Sequence, residues 1–190
     1  MDRLLGAIVL GFAHLGAKRP AAALGAFQEV TEQSTLMRSS LQLPLWLGLG
    51  NYWLARRQLG HARDSLQELC RLAATSGERT YLALGRQALA EAALAQRDLP
   101  SAERELSEAL HAVDGYEVPL AEWKVCATAA RIELARGRRT NADAYWTRSA
   151  AILDRLAASL KDEPDLHRSF LAQAAVQTVR RKARSDTRRA

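Results

Sequence analysis

One spacing constrains this chain more than any other feature. Gly11, Gly50, Ala90 and Ala130 follow one another at steps of 39, 40 and 40 residues. Twelve residues after each stands a second small side chain: Ala23, Ala62, Ala102 and Ala142. Four residues further on comes a bulky one: Phe27, Leu66, Leu106 and Trp146. Small residues let the two helices of a hairpin approach closely, and a large residue one turn on fills the space beside them. Composition agrees with helices throughout. The chain holds 36 Ala and 30 Leu against 7 Val and 3 Ile, and strands favour side chains branched at Cβ. The expected class is all-α: a right-handed α-α superhelix of about four hairpins plus a C-terminal capping helix.

The hairpins are expected over 2–35, 41–77, 79–115 and 119–160, with the cap at 163–179. Together these make one repeat domain, 1–179, followed by a basic tail, 180–190. In the second unit Leu43 to Arg57 reads as one helix, and Ala62, Leu66, Leu69 and Ala73 form an apolar stripe on the next. Asp98 before Leu99-Pro100 reads as a helix start, Gly137 as a helix end, and Thr140 with Asp143 as a capping box. All five prolines, Pro20, Pro44, Pro100, Pro119 and Pro164, are expected at helix starts.

The second unit contains Trp46-x-x-Leu49-Gly50-x-x-Trp53, which resembles the tetratricopeptide signature with Trp in place of Tyr. Leu156 to Leu160, Asp162-Glu163-Pro164, Phe170-Leu171 and Val176 look like the segment that closes longer arrays of this type. Such arrays are familiar from the C-terminal regions of large bacterial regulators linked to ATPases or nucleotide cyclases. The resemblance covers roughly residues 40–180. It implies a cytoplasmic protein–protein interaction module of a bacterial signalling or regulatory system. The catalytic and DNA-binding parts of those regulators have no counterpart here, so only the scaffold role carries over.

The residues argue against chemistry. The sequence has no phosphate-binding loop, no H-E-x-x-H, no paired C-x-x-C and no G-x-S-x-G. Cys70 and Cys126 read as small buried hydrophobes. His14, His61, His111 and His167 share no recurring acidic neighbour. The expectation is therefore no enzyme, no cofactor and no metal. Trp46, Trp53, Trp123 and Trp146 are expected in the core.

Three surfaces are candidates for binding. The residue after each ladder position, Phe12, Asn51, Glu91 or Arg131, faces the concave groove in arrays of this type. With Leu47 and Ile8 where a carboxylate clamp needs lysines, the groove is expected to be half apolar and half mixed-charge. Leu4, Leu5, Ile8, Val9, Leu10, Phe12 and Leu15 surround nearly the whole first helix. This is more apolar surface than one inward face requires, and it points to a contact with a partner protein or a homodimer. The run Leu4 to Ala17 has the look of a signal-peptide core, but His14 interrupts it and it follows the repeat register. Finally, the net charge of +6 is concentrated in Arg180, Arg181, Lys182, Arg184, Arg188 and Arg189, which leaves the body almost neutral. A nucleic-acid-associated regulator using that tail is the alternative class. No stretch is apolar enough to span a membrane.

Overall fold

A computed structural model of the chain describes residues 2–32 and 39–187. Ten helices account for nearly all of them, and no strand occurs among the described residues. The protein is all-α. It divides into two compact units, residues 1–112 and 113–190. The first holds α1 (Asp2–Gly16), α2 (Pro20–Thr31), α3 (Ser39–Ala55), α4 (Leu59–Ser76), α5 (Arg79–Ala95) and α6 (Leu99–Val113), which ends at the division. The second holds α7 (Pro119–Ala135), α8 (Arg139–Ser159), α9 (Pro164–Ala172) and α10 (Ala174–Thr187).

The small–large ladder is the seam of each hairpin. Ala23, Ala62, Ala102 and Ala142 are completely buried, and the bulky partners Phe27, Leu66, Leu106 and Trp146 are buried with them. A Cβ on Gly11 would lie 2.4 Å from the Phe27 ring, and one on Gly50 would lie 2.4 Å from Leu66. Those two glycines are therefore close-approach positions, as the register requires. Ala130, Ala142 and Trp146 share the core of the second unit.

The same step repeats in the turns, where it is more informative. Lys18, Arg57, Arg97 and Gly137 have φ of +56°, +57°, +61° and +76°. The next backbone N–H in each, from Arg19, Gln58, Asp98 and Arg138, donates to the carbonyl five residues back at 2.8, 3.0, 3.0 and 2.9 Å. This is one helix-ending motif used four times. It satisfies a last carbonyl of the first helix and reverses the chain into the second. Three of the four positions hold Lys or Arg, which rarely adopt this conformation, so the tertiary packing of the hairpin imposes it.

Several expectations need correcting. Pro44 lies inside α3 and not at its start, because α3 begins at Ser39 and buries Leu41 in the first core cluster. The capping box does not form: α8 starts at Arg139, and its N-cap, Arg138, makes no side-chain cap bond. Asp98 does cap α6, accepting the Ser101 N–H at 3.1 Å. The C-terminal cap is two helices, broken at Gln173, whose ψ of 131° is extended. Its second helix continues through most of the basic segment. Val176 and Val179 of α10 are buried against Ile152 and Leu153 of α8, and Arg180 pairs with Asp154 at 3.4 Å. Leu166 faces solvent, while Phe170 and Leu171 pack on the same cluster.

Candidate functional site

The groove candidates fall in different places. Phe12 sets its ring edge-on against Phe27, 5.7 Å between centroids, and so contributes to the first core cluster. Asn51 is half-buried and makes no hydrogen bond among the described residues. Glu91, also half-buried, accepts the Gln87 Nε2 hydrogen at 2.9 Å. Those three belong to the first unit. Arg131 is exposed, on α7 of the second.

The N-terminal candidates separate by face. Ile8 is buried at 1% exposure, so it is not part of an open surface; it packs among Phe27, Leu45 and Leu49. Leu4 and Leu15 lean on the same cluster. Leu5, Val9 and Leu10, by contrast, are 49%, 59% and 51% exposed. Gly6, Ala13 and Gly16 are exposed beside them, and a Cβ on Gly6 or Gly16 would meet nothing within 4 Å. No residue from Leu4 to Ala17 is an acid, lysine or arginine. At the edge, Arg3 binds Glu29 at 2.8 Å, so even the nearest charge is neutralised. A helix face this apolar in solvent is an interaction site in most proteins.

The basic residues are partly committed. Arg180 is tied to Asp154, while Arg181, Lys182 and Arg184 reach solvent from α10. Arg188 and Arg189 lie outside the described residues.

The second unit also has an open cavity of about 560 Å³. It is lined by Tyr116, Glu117, Glu122, Arg155 and Leu156, among others, and sequence reasoning did not find it. Its only strong ionic contact is already engaged: Arg148 holds Glu122 through two bonds of 2.6 and 3.1 Å. The hydrogen bond to Glu122 raises the Arg148 pKa further, and burial only partly opposes it.

Neither thiol is poised to react. Burial pushes Cys70 and Cys126 from the usual 9.0 up to about 11, although Arg86 and Arg148 respectively pull the other way. Arg86 in turn is bonded to Glu105 at 2.8 Å across α5 and α6. Burial disfavours its charge, yet that bond and the neighbouring acidic groups keep its pKa raised. Its Nε, buried, has no partner. Trp123 and Trp146 are core residues, and Trp46 and Trp53 pack against the first cluster, Trp53 also lying 4.9 Å from the His61 ring. Among the described residues no group of His, Cys, Asp and Glu is arranged to hold a metal ion, and no helix is long and apolar enough to cross a membrane.

No protein-family model matches the chain, and neither the curated proteins nor the solved structures contain a significant match. Its class therefore rests on its own geometry: an all-α protein built from repeated helical hairpins.

Proposed function

We propose that this chain is a non-catalytic protein–protein interaction module, a tetratricopeptide-like superhelix whose binding surface includes the outer face of α1. The observation that carries this reading is the solvent-exposed, uncharged surface of Leu5, Val9 and Leu10. Burying those three side chains against a partner would remove apolar area from water at roughly 25 cal/mol per Å². The half-buried Asn51, with its amide free to bond a peptide backbone, adds a polar contact on α3. The resemblance to repeat regions of bacterial regulators supports a role in cytoplasmic signalling. Affinity capture with the full chain and with a Val9→Glu, Leu10→Glu double variant tests it. A protein retained by the first and lost by the second supports the module; identical profiles from both contradict it.

A second reading has one observation in its favour, the exposure of Arg181, Lys182 and Arg184 along α10. If they serve nucleic acid, affinity falls steeply with salt, by roughly one power of salt concentration for each phosphate neutralised. Contact through α1 is nearly salt-independent.

A further inference from the structure

The repeat assigns a meaning to the open face of α1. Positions 45, 48, 49 and 52 of α3 stand 39 residues after Gly6, Val9, Leu10 and Ala13 of α1. Their counterparts a further 40 and 80 residues on are 85, 88, 89 and 92 in α5, and 125, 128, 129 and 132 in α7. All twelve later residues are buried, whereas all four in α1 are exposed.

What covers the α3 and α5 faces is known. Phe27 of α2 closes on Gly48, where a Cβ would come within 2.5 Å of the ring, and Leu45 and Leu49 pack with Ile8, Phe27 and Val30. Leu69 and Cys70 of α4 close on Gly85 in the same way, at 3.1 and 2.7 Å from its modelless Cβ position. In each case the face receives the preceding hairpin of this same chain. On α1 that receiving face is complete in its residues and lacks the hairpin.

We infer that the open face of α1 is a self-association surface, on which a second copy of this chain packs through its own α1. This rests on the reading of α1 as an interaction face and names its partner. Three features favour a second copy over an unrelated protein. The face has no charge with which to select a complementary partner, and the Arg3–Glu29 pair at its edge is neutral, so two copies meet without like-charge repulsion. It is self-complementary, because Gly6 leaves a gap beside Leu5, Val9 and Leu10 of the size that such side chains fill in a two-fold contact. Gly6 is also disfavoured relative to Ala inside a helix, and nothing in its own chain comes close enough to require it. Close approach of a second helix supplies that requirement.

Sedimentation of the full chain at tens of micromolar tests the inference. The expected species has twice the 20.9 kDa chain mass. Val9→Glu and Gly6→Leu, one adding charge and one filling the gap, should each raise the concentration needed for dimerisation by at least about tenfold. Leu134→Glu, at an exposed leucine on α7, should leave it unchanged. Circular dichroism of each variant confirms that the helices persist, which is expected at exposed positions. A wild-type chain that stays monomeric, or a dimer indifferent to both α1 variants, or one equally disrupted by Leu134→Glu, overturns the inference. A monomer that nevertheless loses a captured protein on Val9→Glu, Leu10→Glu substitution overturns only the self-association and leaves the interaction module standing.

Discussion

Helices α1 and α3 occupy the same place in consecutive repeats, and both are apolar over most of their circumference. Leu49 of α3 is 8% exposed, and its counterpart 39 residues earlier, Leu10, is 51% exposed. The side chain is the same and its depth is opposite. Apolar character is therefore written by the repeat, whereas burial depends on whether a hairpin lies ahead of the helix. A face that is core in one repeat becomes, unchanged in chemistry, a binding surface in another.

The largest effect should come from placing a charge at the two equivalent leucines. Leu49→Glu buries an unpaired carboxylate and should cost about 3–5 kcal/mol in denaturant unfolding. Leu10→Glu, measured at a concentration too low for association, should cost within about 0.5 kcal/mol. Equal losses would mean that the two faces do not differ as described. Next in size is the hairpin seam: Ala62→Leu and Ala102→Leu should each destabilise by ~1–3 kcal/mol, because both alanines are fully enclosed and cannot accommodate added volume. The smallest contrast is ionic. Glu105→Ala leaves the part-buried Arg86 guanidinium without its partner and should cost about 1 kcal/mol, whereas Glu68→Ala, breaking an exposed pair with Arg71, should cost under ~0.5 kcal/mol. A double-mutant cycle for each pair separates the interaction from the truncation.

Most of the helical framework could be read from residue order, because the ladder of Gly11, Ala23 and Phe27 and its repeats reports a packing constraint that acts locally and recurs. The turns were harder. Gly137 announces its left-handed conformation, but Lys18, Arg57 and Arg97 adopt it against their own preference, and only their common 39–40 spacing hints at it. Pro44 misled for a related reason: proline marks a helix start only when nothing upstream is buried, and Leu41 is. Of the candidate binding residues, the first helix was found as a whole but not by face. Ile8 and Val9 are adjacent and equally apolar, and only the position of Phe27 and Leu45 decides which one is enclosed. The basic segment was readable as charge, but not as helix, because the burial of Val176 and Val179 that anchors α10 is a tertiary event.

The proposed role of α1 can be measured at one residue. Both native thiols are buried with their pKa raised to about 11, so a cysteine introduced at position 9 reports alone. Alkylation of a Val9→Cys variant is followed at neutral pH across a range of protein concentrations. If copies associate through α1, labelling is rapid in dilute solution and slows by at least about tenfold as the dimer fills, in step with the sedimentation curve. A labelling rate that stays the same from dilute to concentrated solution would show that nothing closes over this face.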